Sequence, residues 1–239
     1  MTHSAGDQTR GDSSAFFTGD HSAQMSQNEV FALCMKAARG AGMSWGMADE
    51  AGFAASWLTA RGLDGPRHLL AQLTAMQGRA WGDLCPTIAP GKWSAATGKT
   101  ICPVVLGATL SDHAILPGGL ASGAILTGPV DFPILLCPFL SGIAAATGQI
   151  AVLEWTDGHV EIDANGATPV AAVSALEGQT GVKLRVSLRP GTGPAHSPLP
   201  APAIGAQTVA ALNAFALRTT VPASDASRAG AGAASNDNE

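Results

Sequence analysis

Residues 26–61 read SQNEVFALCMKAARGAGMSWGMADEAGFAASWLTAR, and they decide the fold. Ser26 and Glu29 have the spacing of a capping box, in which the hydroxyl accepts from the Glu29 N–H and the carboxylate accepts from the Ser26 N–H. Val30, Leu33, Cys34 and Ala37 recur at helical spacing and mark one buried face. The run Gly40-Ala41-Gly42 offers residues that accept positive φ, so a helix can stop there. Ser44 suits an N-cap for a second helix, and Asp49 and Glu50 lie near its positive end. Ala48, Ala51, Ala55 and Leu58 form its apolar stripe. These features predict helices over 27–39 and 45–60, packed antiparallel at short range because their facing residues are small.

Outward from this pair, 63–66 is a turn in which Asp64 or Gly65 caps a third helix and Pro66 fits its first turn. Leu69, Leu70, Leu73 and Met76 give that helix its apolar face. Residues 80–100, with Trp81 and Trp93, read as a connecting loop and an internal boundary. Residues 104–106 suit a buried strand, although 107–110 could equally continue as a helix. Strands are expected over 124–127 and 134–137, with a short helix over 138–146. The segments 149–155 and 159–163 flank a Thr-Asp-Gly turn, a strong hairpin signal. Residues 182–189 alternate Val182, Leu184, Val186 and Leu188 with Lys183, Arg185, Ser187 and Arg189, as a strand with one face in water does. Five prolines mark 190–204 as a linker, 208–217 reads as a helix, and the chain beyond 221 is small and polar. The order of helices, then strands, then a returning helix favours an α+β fold over a regular α/β alternation. The expected organisation is an extension over 1–25, a helical subdomain over 26–79, a connecting loop over 80–100, a β-rich core over 101–218 and a Ser/Gly/Ala-rich tail over 219–239.

Three blocks carry a resemblance. NEVFALCMKAARGAGMSWGMADEAG, CPVVLGATLSDH and TTVPASDASRAGAG resemble a bacterial family filed as a domain of unknown function. The resemblance spans most of residues 26–239 and implies a shared fold unit but no chemistry.

Composition narrows the class. Charged residues are 13% of the 239, against about 25% in ordinary domains, and mean hydropathy is +0.19. A large core follows, with apolar surface to spare for a homo-oligomer or a partner enzyme. A net charge of −5 and only 5% aromatic residues argue against nucleic acid, which calls for a basic stripe and stacking platforms. Residues 1–25 have neither a basic nor an apolar leader region, and their Ser, Gly and Asp content reads as disordered. Four cysteines without close spacing then read as reduced thiols in the cytoplasm. Residues 132–153 lack charge, but Pro133 and Pro138 argue for soluble core rather than a membrane span, since each would cost a helix interior roughly 3 kcal/mol.

No motif fixes a reaction. Asp112 and His113, expected at the end of a buried strand, are the leading acid–base candidates, although neighbours on a strand point to opposite faces. Cys102 is the candidate thiol, needing a nearby base for activation; Cys137, in an apolar run, reads as core. Arg39, Ser44 and Glu50 surround the helical turn, where Arg39 and backbone N–H groups could clamp an anion. Ser224, Ser227 and Arg228 in the tail could close over the same ligand. The site expected is thus one for a small anionic metabolite, with no cofactor and no metal, because neither CxxC pairs nor phosphate-loop spacings occur. The alternative is a non-catalytic accessory subunit that docks an enzyme through its low-charge surface.

Overall fold

The computed structural model describes residues 22–164, 170–191 and 200–219. It opens with α1 (Gln27–Gly40), α2 (Trp45–Thr59) and α3 (Gly65–Ala75), followed by the single turn α4 (Trp81–Leu84) and β1 (Lys92–Trp93). Then come α5 (Pro103–His113), β2 (Ile125–Val130), α6 (Cys137–Thr147), β3 (Ile150–Trp155), β4 (Gly158–Ile162), α7 (Val170–Ser174), β5 (Val182–Arg189) and α8 (Ala206–Ala216). The architecture is α+β: a helical assembly packed on one face of a mixed five-stranded sheet.

The opening pair forms as its sequence dictates. Ser26 Oγ accepts from the Glu29 N–H and Glu29 Oε2 accepts from the Ser26 N–H at 2.7 Å. Leu33, Ala37, Ala51 and Leu58 are buried between and beneath the helices. The two glycines of the turn have separate duties. Gly42 takes φ +102, which only glycine adopts cheaply. Gly40 is still helical; a Cβ on it would lie 1.8 Å from the Phe215 carbonyl oxygen, so its smallness lets α8 lie on α1. Asp64 caps α3 by accepting from the Arg67 N–H, with Pro66 in the first turn.

Packing runs from α8 through α1 to α2, from α2 to α5 and α6, and from α6 onto β3 and β4. One continuous hydrophobic cluster links Val30 in α1 to Leu106 in α5, Leu153 in β3 and Phe215 in α8. The sheet order is β1-β2-β5-β3-β4, with β1 parallel to β2 and the other neighbours antiparallel. The hairpin β3–β4 and the strand Val182–Arg189 stand where alternation and turn chemistry put them.

Three segments differ from expectation. Residues 134–137 are not a strand: Pro133–Leu136 is a 3-10 turn leading into α6. Phe132 enters it in the left-handed region at φ 46, and Pro133 and Pro138, with φ fixed near −65°, favour helical starts. A short apolar run cannot distinguish a buried helix from a buried strand by periodicity. Residues 103–113 likewise resolve as helix throughout, with Cys102 at the N-cap and Pro103 in the first turn. The stretch 80–100, expected as loop, contains α4 and β1; β1 extends the sheet beside β2. Among the described residues, no helix is long and apolar enough to cross a membrane.

Candidate functional site

Among the described residues, those singled out in the sequence do not form one site, although Glu50 and Asp112 act on each other. Arg39 donates to the Met43 carbonyl and lies over the Trp45 ring, 5.1 Å from its centroid, which secures its own turn. Ser44 caps α2 by accepting from the Met47 N–H. Among the described residues Arg39 makes no ion pair with Glu50. Glu50 instead meets like charge: burial, then Asp49 and Asp112, push its pKa up. Asp112 and His113 lie in the last turn of α5, not at a strand end. His113 packs edge-to-face on Trp93, with centroids 5.7 Å apart, while Asp112 is exposed. Cys102 is sealed in the core, and burial raises its pKa to about 11 against the pull of the Val104 and Val105 N–H groups. The thiol is therefore protonated at neutral pH and unsuited to nucleophilic attack. Ser224, Ser227 and Arg228 lie outside the described residues.

A concave site lies elsewhere, on the sheet face opposite the helices. Register builds it. Lys92 on β1 pairs with Leu126 on β2, Leu126 with Arg185 on β5, Arg185 with Glu154 on β3, and Glu154 with His159 on β4. These five residues form one rung across the outer face, since paired residues share a face. Lys183, two residues from Arg185, belongs to the same face. Between these side chains runs a groove of about 410 Å³, lined by residues 92, 94, 126–128, 154–156 and 183–185, in which the Glu154 carboxylate is taken up by Arg185.

The groove exists because β2 bulges between Leu126 and Pro129. A bulge leaves a ladder bond unmade, and here a side chain replaces it: Thr127 Oγ1 accepts from the Leu184 N–H at 3.1 Å and donates to the Gly128 carbonyl. Gly128 admits the crossing of residues 93–95, since a Cβ there would lie 2.5 Å from the Ala95 nitrogen. The start of β5 is fixed from below, where Asp131 accepts from the Gly181 N–H at 2.9 Å and from the Thr100 hydroxyl, which Arg79 also contacts.

The charges in the groove are unequally committed. Arg185 is paired with Glu154 and leans towards β3. Further along the face Arg189 binds Glu161 through both carboxylate oxygens and holds that carboxyl below its ordinary pKa. Neither Lys92 nor Lys183 makes an ion pair with a described residue, and both are exposed. They face an apolar floor on which Leu126 remains 50% exposed. His113 is not part of this site, because it packs on Trp93, which neighbours Lys92 on β1 but points to the other face. Among the described residues, no cluster of three His, Cys, Asp or Glu side chains could hold a metal ion.

Residues 25–102 match the model of a family described as a protein of unknown function (DUF3726). That match covers α1 to α4 and β1, so it includes Lys92 and Ser94 but stops before the other strands of the groove. No curated protein matches the chain. A solved structure, malate dehydrogenase from Pyrococcus horikoshii OT3, is similar at 12% identity and a TM-score of 0.38. The likeness covers 82% of this chain and 65% of the dehydrogenase, and it transfers neither a site nor an activity.

The groove residues were missed because they are distant in sequence. The one available signal was the alternation of 182–189, whose outer face carries Lys183 and Arg185; nothing in the sequence places Lys92 beside them. Buried polar groups were missed as well. His68 and Gln72, one turn apart on α3, are enclosed; His68 Nε2 and both Gln72 amide atoms make no hydrogen bond among the described residues, although Glu177 Oε2 lies 3.9 Å from His68 Nε2. Burial, reinforced by Arg67, pushes the His68 pKa down and keeps the ring neutral.

Proposed function

We propose that this is a cytoplasmic protein that binds a small anionic molecule with an apolar body in the groove on the outer face of the sheet. The observation that carries this reading is the pair of exposed ammonium groups of Lys92 and Lys183, neither in an ion pair with a described residue, beside the half-exposed Leu126. Small-molecule sites are typically concave and apolar with a few placed polar groups, and 410 Å³ lies within their usual range. The reading keeps the ligand class expected from the sequence and moves it to different residues. Acid–base chemistry by Asp112 and His113 is no part of it, because His113 packs on the far side of β1.

Calorimetric titration with octanoate and with octyl phosphate tests the reading. Wild type should bind at least one of them. The Lys92→Met, Lys183→Met double variant should bind at least about tenfold more weakly, each lost charge-assisted contact being worth 1.5–3 kcal/mol. Its melting temperature should be unchanged, since both side chains are exposed. Equal affinity in the double variant, or no binding of either probe by wild type, overturns the reading.

A further inference from the structure

We infer that the ligand of this groove carries two acidic groups at the ends of an apolar chain; this rests on the reading above and specifies the ligand class. The argument is one of register. Lys92 and Lys183 stand on β1 and β5 with β2 between them, and Lys183 lies two residues along β5 from the rung that Lys92 shares with Arg185. Two strand spacings sideways and two residues lengthwise separate their Cα atoms by roughly 12 Å. A single carboxylate meets both ammonium groups only when the two long side chains converge over Leu126, whereas two acids need no such convergence. Like charges brought that close repel, and this repulsion offsets part of what each gains from one shared anion.

The space between the two lysines is apolar. Leu126 stands between Lys92 and Arg185 on the rung and is half exposed, and Thr127 has both hydrogen-bonding roles of its hydroxyl committed to the bulge. Arg185 is drawn towards Glu154 on β3 and leaves the middle of the groove without a free cation. The arrangement is therefore cation, apolar floor, cation, which complements a linear molecule with an acid at each end and methylenes between. Burial of the methylenes on Leu126 adds to affinity with chain length until both acids reach their lysines.

The experiment compares linear dicarboxylates with a monoacid on the full chain by calorimetry: glutarate, suberate, sebacate and octanoate. Suberate or sebacate should bind at least about tenfold tighter than both glutarate and octanoate, because a second charge-assisted contact is made only when the chain spans the groove. Lys92→Met and Lys183→Met singly should each bring the long diacid down to the affinity of octanoate. If octanoate binds wild type as tightly as the long diacids, the two-acid inference is overturned while the anion groove stands. If none of the four acids binds, the two-acid inference is overturned, and the groove reading falls with it when octyl phosphate also fails to bind. The comparison of acids on wild type needs no variant, so a poorly folded mutant cannot obscure it.

Discussion

The helix pair α1–α2 and the outer face of the sheet are built by opposite rules. In the helix pair every determinant is local: a capping box, an apolar stripe, a glycine turn and small facing residues all lie within residues 26–61. In the groove no determinant is local, because β1, β2, β5 and β3 each contribute one or two side chains and only register brings them together. The helix pair is correspondingly intolerant of added volume, whereas the groove's two lysines are exposed and carry little of the stability. Stability and binding are thus separated in this molecule, and substitutions can show how cleanly.

The largest effect should come from Gly40→Ala. Its Cβ would meet the Phe215 carbonyl at 1.8 Å, so α8 must move away from α1 at the upper end of the roughly 1–3 kcal/mol that overpacking costs. Ala51→Leu, at a fully buried position of α2, belongs to the same range. Gly42→Ala meets nothing within 4 Å and suffers only from its φ of +102, a cost of about 1–2 kcal/mol. Urea melts of the three variants give the order directly. If Gly40→Ala and Ala51→Leu are as stable as wild type, or if Gly42→Ala is the worst of the three, the account of this packing is wrong.

The bulge joins the two regimes. Gly128→Ala places a Cβ 2.5 Å from the Ala95 backbone and should cost about 1–3 kcal/mol while also closing the groove floor. Lys92→Met and Lys183→Met should stay within about 0.5 kcal/mol of wild type, as exposed substitutions do. A Gly128→Ala variant that loses stability but binds octanoate normally would show that the bulge shapes the fold and not the site.

What was legible in the sequence follows this division. Ser26 with Glu29, Asp64 with Pro66, and the alternation from Val182 to Leu188 are short-range patterns whose outcome depends on a few neighbouring residues. They gave the helices, the last strand and the α+β class. The helix from Pro103 and the turn at Pro133–Leu136 were ambiguous because a run apolar on all sides has no periodicity to read. Gly40 was legible only as a turn residue, since its packing partner, Phe215, lies at the other end of the fold. The candidate site was the least legible part. Arg39 and Ser44 flank one turn and their polar groups serve it, while Glu50, further along α2, faces like charge. Lys183 and Arg185 looked like an ordinary wet face until the sheet order set them across β2 from Lys92.

The smallest effect, and one of opposite sign, is expected at Glu50. This carboxyl is half-buried on α2 and faces Asp49 and Asp112, so its pKa in the folded state is raised above the unfolded value. A raised carboxyl pKa means that the folded state holds its proton to higher pH than the unfolded state. The folded state is then favoured below the unfolded pKa, and that advantage is lost as pH rises through the folded one. At pH 7 Glu50 is therefore a net cost to the fold, and Glu50→Gln should melt slightly higher than wild type. The difference should shrink as pH falls and vanish below the ordinary carboxylate range near 4. Because Glu50 is partly exposed, high salt should screen the share due to Asp49 and Asp112 and leave the share due to burial. Asp112→Asn should remove part of the Glu50→Gln gain, since the two charges act on each other. Melting curves of wild type and the variants between pH 4 and 8 decide the matter. A difference that stays flat with pH, or a Glu50→Gln protein less stable at pH 7, would mean that Glu50 is held by a favourable partner and that the helix pair carries no misplaced charge.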